Sequence, residues 1–175
     1  MRAAPLLALA ALTTLATAAS ATPLELPGHD RDGIAALAQR YLENRARKVT
    51  TGPQTPGFGV PLTPALAAEL RTHEEELAAA RTSWSHRRTR YRFAVVRTEV
   101  TRFDVQHRDL VVAHVREAGE LHFDRPGTVP ATGYGLLHHL TVRRENGDWV
   151  LAGVAVEHSE ACGLLPEPQA VTCTG

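Results

Sequence analysis

The chain has few of the residues that give a quick functional identity. Lysine occurs once, at Lys48, so every other one of the 19 basic residues is an arginine. Cysteine occurs twice, at Cys162 and Cys173, too few soft ligands for a structural zinc site. No charge of either sign is in excess, the formal net charge being +0, so nothing draws the whole molecule toward nucleic acid. No G-x-S-x-G elbow is present, which removes a serine-hydrolase reading. Nine histidines invite a metal reading, yet neither H-E-x-x-H nor H-x-H occurs. His138 and His139 are adjacent in a strand-like run and must point to opposite faces, so they cannot line one site together. No cofactor motif is found. No apolar run reaches the roughly 20 residues needed to cross a bilayer. Internal repeats and low-complexity tracts are absent too.

What is there describes one ordinary globular domain, with 43% hydrophobic residues in 175. The first residues have the form of a secretory signal peptide over 1–21. Arg2 supplies the positive start, Pro5 to Leu12 the apolar core, and Ala19-Ser20-Ala21 the cleavage site. The mature chain is therefore expected to begin at Thr22, and the protein to be secreted, extracellular or associated with the cell envelope, with no membrane span after cleavage. In an oxidising compartment Cys162 and Cys173 are expected to bridge and to pin the tail at 158–175. The chain-entropy model gives about 3 kcal/mol for such a short loop.

Residues 22–29 read as an entry segment, and 30–157 as a single domain. A first helix is expected from Asp30 or Asp32 as cap, with a buried stripe at Ile34, Leu37, Ala38, Tyr41, Leu42, Ala46 and Val49. Arg45, Arg47 and Lys48 fall in its last turns, where positive charge suits the helix dipole. The stretch TTGPQTPGFGVPL, 50–62, is long for a helix connection. It is either a surface crossing or a lid with Phe58 at its tip. Thr63-Pro64 starts a second helix as N-cap and first helical residue, with Leu66, Leu70, His73, Leu77 and Trp84 on one side.

From Arg90 the period changes to two. Runs at 91–105 and 109–123, then 133–157, predict about four antiparallel strands in hairpin order. Asn146-Gly147 is a strong hairpin turn, because both residues tolerate the positive φ of a type I′ turn. A two-residue loop sets Arg144 opposite Trp149, Val142 opposite Leu151 and Leu140 opposite Gly153. Trp149 and Leu151 then share a face with Leu140 and Val142, while Val150, Ala152 and Val154 take the other. Both faces are apolar, which predicts a central hairpin covered on both sides.

The order helix, helix, meander, with a last strand beginning Gly147-Asp148-Trp149-Val150-Leu151, resembles the nuclear-transport-factor-2-like group, which includes the SnoaL-like cyclases and ketosteroid isomerases. The resemblance implies an α+β fold with a curved, cone-like antiparallel sheet around two N-terminal helices. A closer similarity is to the region preceding the amidase domain in secreted actinobacterial proteins. There a stretch like Tyr41-Leu42-Glu43-Asn44-Arg45-Ala46 precedes one like Leu62-Thr63-Pro64. The amidase domain itself is not among these residues, so no amidase activity is carried over.

Proton transfer inside the cone is the one enzymatic option, and it needs a buried acid or base with a shifted pKa. Asp104 and His138 are the candidates. The most basic stretch holds Arg81, His86, Arg87, Arg88 and Arg90 between Trp84 and Tyr91. It reads as a polar connection or as a contact for a polyanion of the cell envelope. The expected function is a non-enzymatic binding or accessory domain whose cavity takes a small apolar ligand or an envelope component. The alternatives are a small isomerase- or cyclase-like enzyme and a purely structural envelope module. An open cone holding a desolvated acid favours the enzyme; a filled cone disfavours it.

Overall fold

The structure is a computed structural model that describes residues 25–86, 90–125 and 127–157. It is α+β: two helices packed on an open four-stranded antiparallel sheet. Helix α1 spans Gly28–Arg47 and α2 spans Pro64–His86. Strands β1 (Tyr91–His107), β2 (Leu110–Phe123), β3 (Ala131–Glu145) and β4 (Asp148–Glu157) follow as a meander in the order β1-β2-β3-β4. Cys162 and Cys173, and with them the expected tail and disulfide, lie outside the described residues, as do the residues of the expected signal peptide.

Helix α1 buries Ile34, Leu37, Ala38, Tyr41, Leu42 and Ala46, the stripe its 3.6-residue period requires. It lies against β1, β2 and β4. It begins before the expected cap: Pro27 is the N-cap, with no side-chain cap hydrogen bond. Asp30 sits inside the first turn instead, where its carboxylate accepts hydrogen bonds from Arg144 Nη2 at 2.5 Å and Trp149 Nε1 at 2.9 Å. A long-range ion pair has taken the acid that local capping would have used. Helix α2 starts as its sequence dictates, with the Leu66 amide donating to Thr63 Oγ1 at 3.4 Å. It buries Leu66, Leu70, His73 and Leu77.

The turn at Asn146 and Gly147 has φ 53° and 95°, and sets Glu145 opposite Asp148, Arg144 opposite Trp149 and Val142 opposite Leu151. Two residues further on the expected register fails. Thr141 pairs with Gly153 and Leu140 with Val154, across an irregularity between Thr141 and Val142. Ala152 is thus the extra residue of a bulge, and everything after it changes face. Val154 and Val156 therefore join Leu140 and His138 on the helix-covered face. The opposite face keeps Thr141, His139, Gly153 and Ala155, which are small or polar and need no second layer. Among the described residues no element covers that face of the sheet, and Phe93, Val95 and Leu137 are each more than a third exposed. The hairpin is accordingly half central: β3 lies inside the sheet and β4 forms its edge.

The segment between the helices touches both edges of the sheet. At one end Thr51 N donates to Tyr91 O of β1 at 2.8 Å. At the other Leu151 N of β4 donates to Pro61 O, and Thr63 N to Leu151 O, both at 2.9 Å. Between these anchors Phe58 turns inward and is 2% exposed. Gly57 and Gly59 flank it at φ 71° and 68°, a region open to glycine and strained for most other residues. Asn44 Nδ2 donates to Phe58 O at 2.8 Å, and Glu74 accepts from Gly57 N at 3.0 Å. Phe58 is a plug, then, with its ring 5.4 Å from Tyr41 and stacked on His73 at 6.1 Å.

Candidate functional site

Two places gather polar chemistry, one enclosed and one open. The enclosed one begins with Glu117 on β2. The inward positions of that strand run Val111, Ala113, Val115, Glu117, Gly119 and Leu121, so period two carries a carboxylate into the core. Glu117 and Arg45 are both 0% exposed. Arg45 Nη1 approaches Glu117 Oε2 at 3.4 Å, His138 Nε2 lies 2.6 Å from the same oxygen, and Tyr134 OH donates to Oε1 at 2.8 Å. The Tyr134 hydroxyl reaches that far because its ring lies over Gly119, its register partner. A Cβ at Gly119 would collide with the tyrosine ring.

Burial alone would raise the pKa of Glu117. The His138 hydrogen bond, the Arg45 charge and the Tyr134 hydroxyl reverse this and hold the carboxyl below its ordinary value. Burial pushes His138 down, and the Arg45 charge adds to this, against the opposing pull of Glu117. The cluster is therefore an ionised Glu117 compensated by Arg45, beside a neutral imidazole. The hydrogen-bonding pattern agrees. Nε2–H donates to Glu117, while His138 Nδ1 is buried with no hydrogen-bond partner, where a second proton would be an unsatisfied donor. His73, also buried, is pushed down to about 4 by burial and then by the Arg45 charge. Such a cluster could hold and pass a proton, but Tyr41, Arg45, Phe58, Glu117 and His138 are all closed to solvent.

Of the two residues nominated from sequence, His138 belongs to this cluster and Asp104 does not. Asp104 pairs with Val112 on the open face of the sheet. A hydrogen bond from His114, then one from Arg102, holds its carboxyl below the ordinary value. The two nominees thus lie on opposite sides of the sheet. Glu117, Tyr134 and Arg45 were missed. Glu117 was legible as an acid in an inward register, and Arg45 as the next member of the stripe Ile34, Ala38, Tyr41. His139 faces away from His138, 4.3 Å from His114 between ring centroids. No group of three or more His, Cys, Asp or Glu placed to hold a metal ion occurs among the described residues.

The open place is the corner where α2 ends and β1 begins. A cavity of about 480 Å³ there is lined by Thr50, Thr51, Gly52 and Gln54 from one side, and by Arg81, Thr82, Ser85, His86 and Arg90 from the other. A second, of about 490 Å³, shares Ser85 and Arg90 and adds Phe123, Asp124 and Arg125. The walls are well tied. Gln54 Nε2 bonds to the carbonyls of Arg47, Thr50 and Gly52, Arg81 Nη1 donates to Lys48 O at 3.0 Å, and Asp124 N to Arg90 O at 2.8 Å. Trp84, Tyr91 and Phe123 pack in series beside them, the first pair edge-on and the second tilted, with centroids 5.4 and 5.3 Å apart. Of the basic residues singled out in the sequence, Arg81, His86 and Arg90 line one cavity, while Arg87 and Arg88 lie outside the described residues. Thr50, Thr51, Gln54 and Arg125 come from distant segments, and nothing in the linear pattern joins them to the basic run.

No family model, curated protein or solved structure matches the chain. No helix among the described residues is long and apolar enough to cross a membrane.

Proposed function

We propose that the protein is a secreted, non-enzymatic binding or accessory domain of the nuclear-transport-factor-2-like, SnoaL-like type, whose ligand is an anionic component of the cell envelope. One observation carries this reading: the acid inside the sheet is sealed, while the arginine-lined cavities at the α2–β1 corner are open. In that reading the sheet wraps α1 as a filled cone, and the plug at Phe58 closes it. Export rests on the signal-like sequence over 1–21, and the disulfide between Cys162 and Cys173 pins the tail. Intact-mass measurement on exported protein reads both: a chain starting near Thr22, lighter by two hydrogens. An intact Met1 or two free thiols would defeat those parts.

The binding reading is tested by incubating the mature protein with insoluble cell-wall material, before and after chemical removal of its anionic polymers. Retention on the untreated material, lost on stripping and reversed by salt, is the expected result. Equal retention on both, or none on either, overturns the reading.

The runner-up, a small isomerase- or cyclase-like enzyme, is favoured by the desolvated pair of Glu117 and His138 at 2.6 Å. It requires the plug to open. A ligand that shifts the imidazole signals of His138 in solution would support it.

A further inference from the structure

We infer that the two cavities are consecutive subsites for one linear polymer carrying anionic groups and free hydroxyls, with Arg90 as the shared contact. The inference rests on the binding reading above and names the ligand class it implies.

Arg90 and Ser85 border both cavities, so a chain lying in one must pass them to enter the other. Arginine lies on either side of that point: Arg81 in the first cavity, Arg125 in the second. Arg90 and Arg125 are exposed and make no ion pair with a carboxylate among the described residues. Guanidinium groups so placed suit phosphate or carboxylate, whose oxygens match their planar fork. Two such stations with a shared one between them fit a repeating anion better than a single ion. The rest of the lining argues against a bare inorganic anion. The first cavity is lined by Thr51 and by Thr82, whose hydroxyl donates to Ala78 O and keeps its lone pairs to accept; Thr50 is buried there with its hydroxyl donating to Arg47 O. The second carries Asp124, a carboxylate that would repel a dense anion and that accepts a hydroxyl proton readily. Beside it, Phe123 offers an apolar wall to the carbon face of a sugar or polyol. A polyol-phosphate diester polymer and a uronic-acid polymer both have this chemistry.

The test titrates the full mature chain with four probes: glycerol phosphate, a poly(glycerol phosphate) oligomer, an oligogalacturonate and inorganic polyphosphate. Arg81→Gln, Arg90→Gln and Arg125→Gln variants are run beside it, each first checked for an unchanged melting temperature. One of the two hydroxyl-bearing oligomers should bind roughly tenfold or more tighter than the monomer, about 1.4 kcal/mol, and which one does identifies the polymer. Polyphosphate should bind more weakly than that oligomer. Arg90→Gln should weaken the oligomer most, and Arg81→Gln and Arg125→Gln each by roughly two- to fivefold, as partly screened charges do. If the oligomer binds but Arg125→Gln changes nothing, a single cavity is used; the two-subsite inference fails and the binding reading stands. Tighter binding of polyphosphate than of either oligomer likewise overturns the hydroxyl-bearing class alone. If no probe binds, both fail.

Discussion

Glu117 shows how one residue sets the character of the interior. A buried carboxylate is tolerated only with its partners in place, and here Arg45, His138 and Tyr134 all converge on it. Glu117→Gln keeps the shape but removes the buried carboxylate facing Arg45, so chemical denaturation should show a loss of about 3–5 kcal/mol. Adding Arg45→Met should recover part of that loss, because the pair is removed together. A double variant as unstable as the sum of the singles would refute the pairing. The histidines make a second, pH-dependent statement. His73 and His138 stay neutral in the folded chain, whereas unfolded histidine takes up a proton near pH 6.5. Stability is therefore full above about pH 6.5 and falls below it, with the contribution of His73 continuing down to about 4. At about 1.4 kcal/mol per unit, that one residue accounts for about 3 kcal/mol. Glu117 acts later, since its depressed carboxyl withdraws support only as pH drops below its ordinary value of 4.5. The groups facing His73 are the Arg45 charge and Glu76, 3.7 Å from Nδ1, and neither supplies a hydrogen bond. His73→Leu should thus flatten the decline in melting temperature between pH 6.5 and 4, and an unchanged slope would reject the assignment. In the sequence, His138 could be nominated because it sits in an apolar run. Arg45 was legible only as the next member of the stripe Ile34, Ala38 and Tyr41; that it meets a carboxylate there depends on Glu117, 72 positions away.

At the level of elements, the turn chemistry of Asn146 and Gly147 and the first four pairings beyond it were legible, because a two-residue loop leaves no freedom in register. The bulge at Ala152 was not. An apolar run with small residues at Ala152 and Gly153 reads the same in either register, and alternation alone cannot reveal an inserted residue. The shift explains why β4 seemed apolar on both sides and yet forms an edge. Leu151 precedes the bulge, is 0% exposed, and also holds the loop before α2 through its backbone. Leu151→Ala should cost about 2–5 kcal/mol, read as a lowered denaturation midpoint. Trp149 is half-buried and anchored to Asp30, so Trp149→Phe should cost less, about 1 kcal/mol for one lost hydrogen bond, because Arg144 still donates to Asp30. If the order of these two losses is reversed, the hairpin is held by its tip and not by its middle. The helices were legible as elements because their stripes are regular, but α2 runs on to His86, through half of the basic stretch that reads as a connection. The true start of α1 was not legible, because Asp30 is claimed by residues more than a hundred positions away.

For the whole molecule, the decisive geometry is between segments far apart in sequence. Sheet order follows from hairpin connections, but the basic groove needs the loop after α1, the end of α2 and the turn after β2 brought together. The segment from Thr50 to Thr63 meets β1 through Tyr91 and β4 through Leu151, and this has a consequence for the order of folding. Its first anchor waits for a strand some forty residues downstream, and its second for one nearly ninety downstream. Closing loops of that size is entropically costly until the intervening structure exists. The meander can assemble by local hairpins, and the inter-helix segment then locks across it as the final step. In pulse-labelling hydrogen exchange, the amides of Thr51 and Thr63 should gain protection after those of β2 and β3. During synthesis, Phe58 can meet Tyr41 and His73 once α2 has emerged, but the segment that carries it is held at both ends only when β4 has followed.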